Sequence, residues 1–340
     1  MKTNNTKSYL SQVRQLRKVA VSAIKKYPIE VVQLKFINHG ENTTYKVISK
    51  KGNFLLRIHR KNYHSKKAIL EELGWVKQLS ENTDLIQKPI PSINGLLLEE
   101  ITIGDTSDSR FCSVLTWIDG NIRYRSLTQK TMFNAGRLVG NLHKSTFKQK
   151  VKHRNYWDAE GLLGVNAKFG SLHNLKPEIK KEEYKILEEC RMMTLNKIEN
   201  YNSKNPHKLS MIHADLHFGN IIWKKNEPIP IDFDDCGFGS QMYDLAITLN
   251  ASNYLFKLSQ KKSKQLFVES LFEGYSSTQN LSKEDIDILP YFKLTRNLTM
   301  LGWAYDRRDV PDIYEHFKKT IEDKIKHFEK ALKEGPDSLY

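Results

Sequence analysis

Apolar residues recur at helical spacing near the start of the chain. Leu10, Val13, Leu16, Ala20 and Ile24 share one face, and Pro28 stops the run. The period then changes to two. Val32, Leu34 and Phe36 alternate as a strand, "NHGENTT" follows as a turn, and "YKVIS" and "NFLLRIH" predict a second and third strand. Ile69, Leu73, Val76 and Leu79 return to a helical stripe. "GLLLEEITI" and "FCSVLTWI" predict two further strands joined by the polar loop "GDTSDS". Beyond Gly120 the pattern is mostly helical. Met132, Ala135, Val139 and Leu142 mark one helix. Ile313, Phe317, Ile321, Ile325, Phe328 and Leu332 mark the last, which ends at Gly335 and Pro336.

A strand-rich part, residues 1–118, thus precedes a helix-rich part, residues 119–340, an order that predicts an α+β fold with two lobes. Asp119 and Gly120 form a hinge-like turn at the boundary, with no flexible linker, internal repeat or low-complexity tract. A length of 340 residues exceeds what one small core needs, and a hydrophobic fraction of 39% argues against disorder. The three cysteines, Cys112, Cys190 and Cys236, lie far apart, which opposes a disulfide scaffold or zinc site and fits a reducing cytoplasm. "MKTNNTKSYL" lacks the apolar core of a signal peptide, and no apolar run approaches a membrane span, so no membrane partner is expected. The net charge of +15 raises nucleic acid as a partner. The lysines, however, are scattered in pairs and mixed with acids along helical segments, which favours a solvated basic surface and no nucleic acid.

The densest chemistry lies in "HADLHFGNIIWKKNEPIPIDFDD", residues 213–235. Phosphoryl transfer needs a carboxylate to orient the attacking hydroxyl and take its proton, and hard oxygen ligands for Mg²⁺. A loop H-x-D-L-x-x-x-N followed by a hairpin to D-F supplies both. His213, Asp215, Leu216 and Asn220 fill the loop. "IIW" and "IPI" predict two strands joined by a "KKNEP" turn, which would fold Asp232 back beside Asn220. Asp215 is then the candidate base, and Asn220 and Asp232 the candidate metal ligands. The alternative, that these are ordinary turn residues and caps, has to produce five ordered features by chance. Asp234 and Asp235 are read as bonding to the following turn, and His213 as structural.

This stretch, with "YDLA" after it, resembles the aminoglycoside phosphotransferase and choline kinase-like superfamily, which includes homoserine kinase-type phosphotransferase enzymes. The resemblance spans most of the chain. It implies a bilobal protein-kinase-like fold, with an antiparallel-sheet nucleotide-binding lobe and a larger helical lobe for catalysis and acceptor binding. It also implies ATP and Mg²⁺ as cofactors. "GENTTYKV" resembles the nucleotide-covering turn, implying roles for Asn42 and Thr43. "NFLLRIHR" resembles the strand carrying the phosphate-contacting basic residue, here Arg57. "LEELGWV" resembles the helix carrying its acidic partner, and "VLTWIDG" the adenine hinge, implying Thr116, Trp117 and Ile118. "YDLA" implies that Asp244 stands behind the catalytic loop. The residues add to this: period two puts Leu55, Arg57 and His59 on one face, with Leu55 in reach of adenine. Glu72 falls on the inward stripe with Ile69 and Val76, whereas Glu71 falls with Ala68 and Trp75, so Glu72 is preferred as the partner of Arg57. Phe218 stands where many members have Pro, and the covering turn carries one glycine, Gly40. No P-loop is present, and "GFGSQM" makes a poor dinucleotide site.

The resemblance favours a small-molecule hydroxyl as acceptor: an amino alcohol, a homoserine-like amino acid, a sugar or an aminoglycoside. Residues 155–164 and 294–308 are candidates for the acceptor pocket, with Arg296 or Arg307 available to a carboxylate. A protein Ser/Thr kinase of the same fold is the alternative, opposed by the lack of an activation segment ending in A-P-E. A basic nucleic-acid-binding protein or a pseudokinase is the non-enzymatic one, and the retained Asp215, Asn220 and Asp232 oppose the latter.

Overall fold

The structure is a computed structural model. It describes residues 9–81, 83, 85–103, 108–123, 127–145, 151–165, 167–168, 172–255 and 261–339. Residues 104–107 of the expected "GDTSDS" loop lie outside these. The chain forms two compact units, Met1–Asp119 and Gly120–Tyr340.

In the first unit, α1 (Tyr9–Ile24) precedes β1 (Val31–His39), β2 (Thr43–Ser49), β3 (Gly52–Ile58), α2 (Lys66–Glu81), β4 (Pro89–Ile90), β5 (Glu99–Thr102) and β6 (Ser109–Thr116). The strands pair antiparallel in the order β1-β2-β3-β6-β4, with β5 also on β6. Strand alternation divides this sheet's two faces. Leu56 and Ile58 join Tyr45, Val47 and Val114 in a core with Val19, Ala20, Ala23 and Ile24 of α1. The intervening Leu55 and Arg57 therefore belong to the other face. On α2, Ile69 and Leu73 pack with Leu98 and Phe111. The expected fourth strand is shorter than its apolar run: Leu96, Leu97 and Leu98 precede β5 outside any strand.

The second unit comprises β7 (Asn121–Ile122), α3 (Gln129–Lys144), β8 (Asn155–Trp157), α4 (Ala159–Leu163), α5 (Lys181–Lys204), β9 (Leu209–Ile212), β10 (Ile221–Lys224), β11 (Glu227–Pro230), β12 (Gly237–Ser240), α6 (Gln241–Leu255), α7 (Lys261–Ser276), α8 (Lys283–Asp306) and α9 (Pro311–Glu334). Two small sheets interrupt the helices. One has the order β11-β10-β7, and in the other β12 lies between β8 and β9. Among the described residues, no helix is long and apolar enough to cross a membrane.

Two features of this unit place the candidate site. The start of α8 is pinned by the Ser282 capping box. It is pinned further by buried Asp285, which takes hydrogen bonds from Tyr201 and, at 2.9 Å, from Lys208. The second feature is the close approach of α3 and α7. A Cβ on Gly136 would lie 1.9 Å from the Leu271 carbonyl oxygen, and one on Gly274 1.9 Å from that of Phe133. Only hydrogen fits at either position. The approach brings His143 of α3 within 3.1 Å of the Tyr275 hydroxyl of α7.

Gly136→Ala should therefore push α3 and α7 apart. The expected cost is about 1–3 kcal/mol, the usual range for overpacking, read as a lower midpoint in urea unfolding. An unchanged midpoint would contradict the backbone contact.

Candidate active site

The site is best built outward from the loop that leaves β9. Ala214 adopts a left-handed backbone, φ 63°, which is uncommon for any residue with a Cβ. Fully buried Asp244, in the first turn of α6, holds it there. One carboxylate oxygen accepts from the His213 amide at 2.8 Å and the other from the Ala214 amide at 2.6 Å. His143 Nε2 stands 3.3 Å from the same carboxylate, so the α3–α7 contact supports it from behind. Thr248, one turn further along α6, donates to the Leu216 carbonyl at 2.7 Å. Asp215 is thereby turned out of the core, half-buried.

His213 is structural. Its Nε2 lies 3.0 Å from the Ile231 carbonyl, and its ring packs on Phe233. This ties the loop to the end of the hairpin formed by β10 and β11. The hairpin is tighter than its sequence suggests. The strands extend to Lys224 and Glu227, leaving Lys225 and Asn226 as the turn, with Lys225 at φ 58°. Ile231 N donates to Asn220 O at 2.9 Å, so the strand pairing runs to the residue before Asp232. Asp232 is exposed and also left-handed, at φ 61°. Asn220 Nδ2 donates to both the carbonyl and the Oδ2 of Asp215, each at 3.0 Å. Its donor end is thus committed to Asp215, and its amide oxygen is the end left for a ligand.

The turn after Asp232 is clamped by Arg154 and Lys168, which the sequence did not single out, and by Trp157 of the 155–164 segment. Buried Arg154 donates to the Cys236 carbonyl at 2.7 Å and to the Asp234 carbonyl. Trp157 Nε1 donates to the Asp235 carbonyl at 2.8 Å. Lys168 stands 3.5 Å from the Asp235 carboxylate. Burial lowers the Lys168 pKa although Asp235 opposes the shift. Asp235 thus faces a lysine. Much of 155–164 packs inside the unit: Trp157, Ala159, Leu162 and Leu163 are buried, and Asp158 caps α4.

Arg296 of α8 also departs from its expected role. Its guanidinium is committed to Asp215 Oδ1 and is not left for an acceptor carboxylate. Burial disfavours its charge, but Asp215, Tyr243 and Asp235 together hold its pKa above the ordinary value. His217 Nε2 lies 3.6 Å from Asp215 Oδ2, and its Nδ1 accepts from the Gly219 amide. Burial lowers the His217 pKa, and nearby Arg296 adds to the effect while Asp215 opposes it. Arg307 stacks over Trp303 at 4.4 Å.

The remaining candidates belong to the first unit. Arg57 and Glu72 form a salt bridge, with Arg57 5% and Glu72 1% exposed. Asn42 lies in the turn before β2 and accepts from the Arg60 amide at 3.1 Å. Thr43, buried, is 2.7 Å from His39 Nδ1. Leu55 pairs with Leu115 across β3 and β6. Thr116 closes β6 and accepts from the Lys88 amide at 2.9 Å. Trp117 N donates to Asn53 O at 3.1 Å, and Lys46 lies over its ring at 4.3 Å. Ile118 follows, half-buried.

The profile of the phosphotransferase enzyme family matches residues 33–279. Amicoumacin kinase of Bacillus subtilis (strain 168) is 24% identical over 311 residues, which cover 89% of each chain. The structure of a microcompartment-associated aminopropanol kinase superposes with a TM-score of 0.79 at 25% identity, over 94% of this chain and 98% of that one. The amicoumacin kinase hAmiN, solved with AMP-PNP, Ca²⁺ and Ami, superposes with a TM-score of 0.70 at 21% identity, over 93% and 96% of the two chains. With more than half of its length matched by the family profile, and with the loop, hairpin and buttressing aspartate in place, the chain belongs to the phosphotransferase enzyme family.

Proposed function

We propose that the protein transfers the γ-phosphate of ATP to a hydroxyl of a small molecule, with Mg²⁺ as cofactor and an amine-bearing alcohol as the acceptor class. The observation that carries this reading is the carboxylate of Asp215, presented by a loop that Asp244 and the hairpin hold fixed. The acceptor oxygen forms a bond to the γ-phosphorus. The bond from phosphorus to the β–γ bridging oxygen breaks, its electron pair leaves on ADP, and the hydroxyl proton passes to Asp215. The aminopropanol kinase supports an amine-bearing acceptor. The short passage from Asp232 to α6 at Gln241 leaves no room for a long activation segment, which favours a small molecule over a protein.

Asn220 and Asp232 offer an amide oxygen and a carboxylate, the hard donors that Mg²⁺ takes, so the donor set fits the cation. When bound, the cation would neutralise charge on the phosphates. In the first unit, Arg57 is assigned to phosphate oxygens, with Glu72 fixing its fork. Asn42 and Thr43 are assigned to the covering turn, and Leu55, Thr116, Trp117 and Ile118 to the adenine. Turnover of ATP with Mg²⁺ against a panel of amino alcohols, amino acids, sugars and aminoglycosides tests the whole reading. Absence of ADP release with every acceptor would reject it.

Three single variants and one double variant test the parts. Asp215→Asn keeps the shape of the side chain but loses its basic oxygen. It should lower kcat by about 10²–10⁴-fold, the usual worth of general-base help, with the KM for ATP nearly unchanged. Full activity would remove Asp215 from the base role. Asp232→Ala should abolish metal-dependent nucleotide binding in calorimetry, and undiminished binding would sink the ligand assignment. Arg57→Ala leaves Glu72 buried without its partner. It should cost about 3–5 kcal/mol of stability as well as ATP affinity. The double variant Arg57→Leu with Glu72→Leu should recover most of the stability and none of the affinity. Recovery of both would make the pair purely structural.

A further inference from the structure

Among the described residues, three side chains hold the Asp215 carboxylate. Two, Asn220 and His217, come from its own loop. The third, Arg296, comes from a helix 81 residues away in sequence. The side chain of Arg296 is 12% exposed and that of Asp215 21%. A guanidinium withdrawn from water to this degree is costly unless an anion meets it. Here Asp215 meets it, with Tyr243 and Asp235 adding to the stabilisation of its charge.

The helix presenting Arg296 is itself fixed. Its N-terminus carries the capping box of Ser282 and the buried Asp285 bonded to Lys208 and Tyr201. Near Arg296, Phe292, Leu294, Leu298 and Leu301 are fully buried. Thr299 is buried as well and donates to the Arg296 carbonyl at 2.9 Å. The guanidinium therefore approaches Asp215 from a rigid support, independent of the loop that carries the carboxylate.

Asn220 restrains Oδ2 and Arg296 restrains Oδ1, so the two together fix the rotation of the carboxylate about its last torsion. A carboxylate has about four lone-pair sites, so these partners leave room for an acceptor hydroxyl. We infer that Arg296 is a positioning residue for phosphoryl transfer, holding the Asp215 carboxylate in the orientation that receives the acceptor proton. This rests on the reading of Asp215 as the base. Arg296 does not take up the proton. It acts by reducing the orientations that the base can sample, and small misplacements of reacting groups are expensive. Lysine in its place would keep the charge without the planar fork.

The test compares the wild-type chain with Arg296→Ala, Arg296→Lys and Arg296→Gln, using whichever acceptor the panel identifies. Arg296→Ala should lower kcat by about 10²-fold, the scale of a misplaced reacting group, while the KM for ATP changes little. Millimolar guanidinium ion should restore part of the kcat of Arg296→Ala and leave the wild type and Asp215→Asn unaffected. Arg296→Lys should retain an intermediate kcat. Adding Arg296→Ala to Asp215→Asn should cost far less than it does in the wild type, because a positioning residue has nothing to position once the base is lost. Should Arg296→Ala fold poorly by circular dichroism, Arg296→Gln carries the same cycle with hydrogen bonding kept. A kcat within about threefold of wild type, well short of the expected loss, would overturn the inference. So would a loss that guanidinium does not restore and that multiplies in full with Asp215→Asn. A wild-type chain without turnover on any acceptor would instead reject the phosphotransferase reading, and this role with it.

Discussion

The buried carboxylate of Asp244 is the constraint on which the candidate site depends. Its two oxygens take the amides of His213 and Ala214, and an anion accepting two backbone amides makes bonds stronger than neutral ones. The left-handed backbone of Ala214 costs about 1–3 kcal/mol on its own and persists only where its surroundings over-determine it. Asp244 supplies that over-determination. Reversal of the chain at Ala214 turns Asp215 outward while His213 turns inward to the hairpin. A carboxylate would be squandered in this position without support of its own, and His143, carried by the close contact of α3 with α7, provides it.

Around this frame the charges are arranged in opposed pairs. Asp215 has Arg296, Asp235 has Lys168, and Arg154 donates to the carbonyls of Asp234 and Cys236. Each cation is largely withdrawn from solvent, and each comes from a separate stretch of the chain. The acidic turn of residues 232–235 would repel itself if left unneutralised. Its partners hold it folded while Asp232 stays exposed at its edge. Burial lowers the pKa of both Lys168 and His217, against the opposing pull of Asp235 and Asp215.

The first unit obeys a different constraint. Alternation along β3 sends Leu56 and Ile58 into the core under α1 and leaves Arg57 for the opposite face, where α2 brings Glu72. A salt bridge this deep contributes little net stability, since desolvation offsets its Coulombic gain. What it fixes is the direction of the guanidinium.

Much of this was legible in the sequence, because it depends on short-range spacing or on a period. The helical and strand periods located α1, β1, β2, β3, α2, β6, α3 and α9. The period of α2 separated Glu72 from Glu71, and the spacing of His213, Asp215, Asn220 and Asp232 implied a loop and hairpin. Strands of two to four residues, such as β7, β8, β9 and β12, carry too few side chains to show a period. The depth at which Arg57 and Glu72 are buried follows only from the packing of the sheet and α2. Arg296 was legible as a cation available to a carboxylate. Its commitment to Asp215 was not, because nothing local ties two residues 81 apart. Arg154 and Lys168 gave no signal at all, since their partners are backbone carbonyls and a carboxylate brought close only by the parallel pairing of β8 with β12 and the turn it flanks. Local order along the chain determined which chemical groups the candidate loop and hairpin themselves carry. Long-range packing decided which of them are held, by what, and in which direction, because hydrogen bonds and ion pairs depend on distances that only the folded chain sets.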